Sequence, residues 1–289
     1  MPVVYSNGLI FEKFYTKEKT MHPLFGTKHL ILLAVSVVLI VVLTIFSRKL
    51  KFSTVCKTLL IVGICSEIIK IFYYIIQNEE THGGVLPKTD LPFQLCSIQI
   101  IFIAIVNIAK SEKLRRFILS FMLPSCLFGG IAALLIATDS SRNGTWIITA
   151  QYFLYHIAIT VFSLHMFFSK EIKFKAKDYG NCLKFLLVLM FFAIYINSIV
   201  DDGSGKINFM YVVSPPQSGL PFLNEDHGWL VYIIHYACLI LFCVTLCYIK
   251  PIIDFFKEKR NAKKSVQATA QSSIPVETEA AVAQDNQNE

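Results

Sequence analysis

Seven runs of about twenty apolar residues divide this chain, and a chain built that way has few folds open to it. The runs lie at 29–46, 54–77, 91–109, 115–137, 146–168, 182–200 and 229–249. A segment in lipid must satisfy its own backbone, which leaves helices or closed barrels. These runs are too long and too evenly apolar for barrel strands. The sequence therefore predicts an all-α, polytopic membrane protein with seven transmembrane helices. A composition 54% hydrophobic and only 16% charged excludes a disordered chain or an ordinary water-soluble enzyme. Pro124 and Gly129-Gly130 predict a kink in the fourth run.

The connecting segments set the expected orientation. Arg48, Lys49, Lys51 and Lys57 follow the first run, and Lys110, Lys113, Arg115 and Arg116 follow the third. Lys170, Lys173, Lys175 and Lys177 follow the fifth, and Lys250, Lys257, Lys259, Arg260, Lys263 and Lys264 follow the seventh. The alternate segments carry one cation each, Lys88, Arg142 and Lys206. The positive-inside rule then places the N-terminus outside and the C-terminus in the cytoplasm. The net charge of +7 follows the membrane in this way and is not a nucleic-acid signal. Three parts are expected: an extracellular segment over 1–28, the membrane domain over 29–249, and a cytoplasmic basic segment with a disordered tail over 250–289. No internal repeat and no Gly-rich phosphate loop is present.

Polar residues inside apolar runs are costly and each needs a reason. Gly63, Ser66, Glu67, Lys70, Tyr73 and Gln77 share one face of the second run at 100° per residue. Glu67 and Lys70 are three apart, so they can pair. Cys96, Gln99 and Asn107 share a face of the third run, and Thr149, Tyr152, His156, Thr160 and Ser163 a face of the fifth. Asn197 falls late in the sixth run and His235 about two turns into the seventh. The stripes are expected to meet in a polar cavity in the outer half of the membrane. Stripes of this kind also serve simply as glue between helices.

Cys96 stands apart from the other cysteines at 56, 65, 126, 182, 238, 243 and 247. Asp90-Leu91-Pro92 precedes it, an expected N-cap followed by a first-turn proline. A helix N-terminus favours a thiolate. His156 lies at comparable depth, and a Cys–His pair is the minimum for nucleophilic acyl transfer. No metal or soluble cofactor is required for that chemistry. Glu67, Lys70, His156 and His235 would equally serve a transporter as a substrate or proton site.

Several pieces, in order along residues 25–250, resemble the YwaF-like family of bacterial integral membrane proteins. Phe25-Gly26-Thr27-Lys28-His29 resembles its segment before the first span, and Leu91-Pro92-Phe93-Gln94-Leu95-Cys96 its most diagnostic motif. His156, Asn197, Asn208-Phe209-Met210, Pro215, Trp229 and Tyr232 resemble later landmarks. Gln94 stands where the family has His, and Ser97 where Asp is frequent. That family is similar to an animal transmembrane acyltransferase of ether phospholipids. The resemblance implies Cys96 as nucleophile and His156 as base. It implies Asn197 and Asn208 as groups that orient lipid head groups or help an oxyanion hole, and a bacterial plasma membrane as the location; Gln94, Gln99, Glu67, Lys70 and His235 complete the candidate binding set, with membrane lipids as the expected partners.

Overall fold

The computed structural model describes residues 23–77, 84–169, 172–201, 203, 205, 207–216, 223 and 228–272. The helices are α1 (Thr27–Ser47), α2 (Phe52–Gln77), α3 (Leu95–Ile108), α4 (Glu112–Leu135), the short α5 (Asp139–Asn143), α6 (Trp146–Phe168), α7 (Ala176–Val200) and α8 (Trp229–Ser272). Short 3-10 turns occupy Lys88–Asp90 and Phe209–Tyr211. The expected all-α architecture is present among the described residues. Six helices, all but α3 and α5, are long and apolar enough to cross a bilayer. Most of the expected outer segment, residues 1–22, lies outside the described residues, as does the end of the tail, residues 273–289.

The helices are not equivalent. α4 and α6 are mostly buried, while α1, α2, α7 and α8 turn most of their surface outward. α6 packs against α1, α2 and α4, and α4 packs against α3, α6, α7 and α8. Outward-facing side chains such as Val38, Ile61, Phe72, Val188 and Phe242 are large and apolar. A surface of that kind suits lipid and not water.

Small residues and side-chain hydroxyls let the two central helices approach closely. A Cβ at Gly130 would stand 2.3 Å from Thr160 Oγ1 and 3.1 Å from the His156 carbonyl oxygen. Ser163 donates to the Leu123 carbonyl across the same interface. α4 runs as one helix through Pro124, where the sequence predicts a kink. Proline leaves the carbonyl four residues back without its helical partner. That carbonyl belongs to Ser120, and the Tyr248 hydroxyl of α8 donates to it at 2.7 Å.

Each end of the bundle has its own clamp. At the cation-rich end, Arg116 meets the buried Asp178 carboxylate at 2.8 and 2.5 Å, and Asp178 also accepts the Lys175 backbone N–H. At the other end, Phe25 takes a left-handed conformation (φ 61°) and its N–H donates to His29 Nδ1. His29 must then carry its proton on Nε2, which donates to the Leu134 carbonyl at 2.9 Å. Lys28 caps the Arg142 carbonyl at 2.6 Å. The Phe25–His29 segment therefore docks α1 onto the α4–α6 connection.

Two expectations change. α3 begins at Leu95 rather than at 91 and has 14 residues, about 21 Å, short of the roughly 30 Å hydrocarbon core. Leu91 precedes proline and is held extended (ψ 147°), so the helix cannot start there. Asp90 is not its N-cap; Gln94 occupies that position. α8 runs on to Ser272, past residue 261 where the sequence reads as structureless. Its Lys, Glu, Ala and Gln residues are good helix formers, and the 44-residue helix is about 66 Å long.

Candidate functional site

The polar stripes meet on α2, α3, α4 and α6. Glu67 and Lys70 pair at 2.7 Å, their side chains only 18% and 16% exposed. The Lys70 ammonium also reaches Ser97 Oγ at 3.5 Å. Gln151 of α6 donates to Ser66 of α2 at 2.6 Å. Gln99 of α3 donates to Ser125 of α4 at 3.0 Å and accepts from the Cys126 thiol. Asn107 bonds the Ile103 and Cys56 carbonyls. Gln99, Gln151 and Asn107 thus join helices. His235 is exposed on the outer surface of α8 and does not join the seam.

Cys96 is the second residue of α3, one turn closer to the helix start than the sequence suggests. It is half-buried. Its carbonyl accepts the Tyr155 hydroxyl at 2.6 Å, which ties the first turn of α3 to α6. His156 follows Tyr155 and is 3% exposed. Its Nδ1 lies 2.6 Å from the Tyr152 carbonyl. A carbonyl only accepts, so the proton sits on Nδ1 and Nε2 keeps its lone pair. Nε2 is buried and, among the described residues, has no hydrogen-bond partner, the Cys96 thiol included.

A loop, residues 207–216, closes over the start of α3. Met210 and Tyr211 are both left-handed, with φ of 56° and 52°. Neither is glycine, so this backbone is strained and must be held from outside. Asn197 of α7 accepts the Phe209 N–H at 2.7 Å and donates to the Phe209 carbonyl at 3.0 Å. Gln94 accepts the Met210 N–H and donates to the Asn208 carbonyl. Asn208 closes the turn onto Val213 and Ser214. From α8, Trp229 donates to the Val212 carbonyl, Tyr232 to that of Tyr211 and Tyr236 to that of Met210. The Phe93 ring meets Phe209 edge-on at 5.4 Å.

Gln94, Asn197 and Asn208 all hold the loop; a role of the two asparagines toward lipid head groups or an oxyanion is expected from the resemblance alone. Tyr155 and Tyr236 join the site without having stood out in the sequence. Tyr236 stands one turn beyond Tyr232, a spacing that places both phenols on one face of α8. Burial pushes the Tyr211 phenol up to about 12. Burial also raises the Asp90 carboxyl, against the pull of Lys70.

Comparison with models of known protein families gives a match. The model of the TMEM164 family matches residues 24–248, from the Phe25–His29 clamp to Tyr248 beneath Pro124. No curated protein and no solved structure matches the chain. With most of its length covered by that one model, the chain belongs to the TMEM164 family, a family of membrane proteins.

Proposed function

We propose that this protein moves acyl groups between membrane lipids through a thioester on Cys96, with His156 as the base. The observation that carries this reading is the bare, buried Nε2 of His156, fixed as an acceptor by the Nδ1–H bond to Tyr152. A buried polar atom without a partner calls for an explanation, and a general base is one. The resemblance to YwaF-like proteins and to an animal ether-phospholipid acyltransferase supports the same assignment.

In this mechanism Nε2 takes the thiol proton and the sulphur attacks the ester carbonyl of a donor lipid. The C–O bond breaks, and the departing lyso-lipid oxygen receives the proton from His156. A second lipid's hydroxyl then gives its proton to Nε2 and attacks the thioester, and the proton returns to the departing thiolate. The helix bundle keeps water out, which favours transfer over hydrolysis. Thiol and imidazole draw together only when substrate is bound, as catalytic hydrogen bonds often do. α3 counts here as a seventh crossing completed by residues 91–94. The cation-rich connections then alternate, with the N-terminus outside, the C-terminus in the cytoplasm, and the site in the outer leaflet of a plasma membrane.

The test is intact-protein mass spectrometry after incubation with mixed membrane lipids, wild type beside Cys96→Ala. A hydroxylamine-sensitive acyl adduct on wild type alone is expected. Lipid turnover that persists at wild-type rate in Cys96→Ala would sink the mechanism. The largely buried Glu67–Lys70 pair favours a second reading, a transporter or a protein that binds protons or small molecules. Solute flux in proteoliposomes that survives Cys96→Ala would favour it.

A further inference from the structure

α8 runs on well past the bundle it belongs to. Near its exit the Tyr248 hydroxyl holds the Ser120 carbonyl, and Ile252 still packs against the core. Beyond that point every side chain over 253–267 is exposed. We propose that one face of this extension, the face with Phe256 and five cations, rests on anionic phospholipid head groups at the cation-rich end of the bundle. The inference uses none of the residues of the candidate site and stands apart from the acyl-transfer reading.

The residues of the extension are sorted by angle. At 100° per residue, Lys257, Lys259, Arg260, Lys263 and Lys264 fall within about half the circumference of the helix. Ile253 and Phe256 lie in the same half, 45% and 62% exposed. Both acids of the segment, Asp254 and Glu258, lie in the other half, with Asn261 and Ser265. A charge run that only meets water has no need of this sorting. Large apolar side chains near the span, followed by cations on the same face, match a leaflet in which phosphates border the hydrocarbon.

Dimensions point the same way. Over residues 229–249 α8 covers about 31 Å, the thickness of the hydrocarbon core. Held upright, the extension would carry Lys264 about 20 Å farther, well past the roughly 8 Å over which charge acts in physiological salt. Ile253 and Phe256 would then stand in water. Leaning the extension onto the head groups removes both penalties. Pro251 lies where the lean is needed: it has no N–H for the Cys247 carbonyl, which weakens the helix there. Lys49, Lys51, Lys110 and Lys113, all exposed on the neighbouring connections, favour anionic lipid at the same end. An acidic protein would meet the cations as well, but gives no reason for apolar side chains beside the bilayer on the same face.

The test uses the full-length protein in nanodiscs of phosphatidylcholine, alone or mixed with phosphatidylglycerol. Hydrogen exchange of the 253–267 amides is followed by mass spectrometry, because a helix held on a surface opens less often. Exchange is expected to be several-fold slower in the phosphatidylglycerol discs, and raised salt should shrink the difference. Replacing the five cations by Gln, a good helix former, should abolish it. Phe256→Ser should weaken it, whereas Phe255→Ser, off the face, should leave most of it. Unchanged exchange in α4 and α6 shows that each variant keeps its bundle. Equal exchange of the wild type in the two discs would overturn the proposal, as would a phosphatidylglycerol effect that survives the five Gln substitutions. Equal losses in the two Phe variants would overturn the assignment of the face. Protection by polyglutamate in phosphatidylcholine discs, with none from phosphatidylglycerol, would give the face to an acidic protein instead.

Discussion

Gly130 and His156 show how single atoms decide what this site can be. The His156 carbonyl lies 3.1 Å from where a Gly130 Cβ would stand, and Thr160 Oγ1 lies nearer still. Gly130→Ala must therefore push α4 off α6 and is expected to cost about 1–3 kcal/mol. Gly129→Ala, whose Cβ would meet only Leu95 at 3.6 Å, is the control and should leave thermal stability in detergent unchanged. A melting curve in which both variants fall equally would contradict the close approach. Cys96 and His156 stand out as candidates in the sequence; their relation does not. Residue spacing gives depth along a helix but not which carbonyl a ring nitrogen meets. Only the fold shows that His156 bonds back to Tyr152 while Tyr155 reaches Cys96.

At the scale of elements, two substitutions for a missing partner stand out. Tyr248 gives the Ser120 carbonyl the hydrogen that Pro124 cannot. Tyr248→Phe leaves that carbonyl buried and unmet, at a cost of about 1–3 kcal/mol. Adding Pro124→Ala supplies a backbone N–H, so the double variant should lose less stability than Tyr248→Phe alone; equal losses would argue against the exchange. Asp178, buried at the foot of α7, depends on Arg116 in the same way. Arg116→Leu strands its carboxylate and is expected to cost about 3–5 kcal/mol, measured by thermal unfolding at neutral pH. Arg116→Leu combined with Asp178→Leu should recover much of that. The apolar runs were plain in the sequence because lipid demands length and uniform hydrophobicity. The start of α3 was not, because Asp90 and Pro92 fit a helix N-terminus locally. Contacts from a loop more than a hundred residues away hold Gln94 and its neighbours extended instead.

Across the whole molecule, the motif pieces that run through the chain come together at one place. Gln94, Asn197, Trp229, Tyr232 and Tyr236 all grip the backbone of the strained loop. A linear reading gives each of them a separate meaning and cannot see that they share a target. Asn197→Ala removes both ends of the Phe209 clasp. It should speed proteolytic cleavage within 207–216 several-fold while the helical circular dichroism signal stays unchanged. Equal protection of this segment in the two proteins would mean that the loop does not need the clasp. The grip from α8 also bears on how the protein is made. Synthesis runs from the N-terminus, so Cys96, Tyr155 and His156 enter the membrane well before Trp229 leaves the ribosome. Until then the loop lacks every hold that α8 provides. The shape of the loop at the start of α3 is thus tied to insertion of the final helix, and a chain truncated before it would lack that shape.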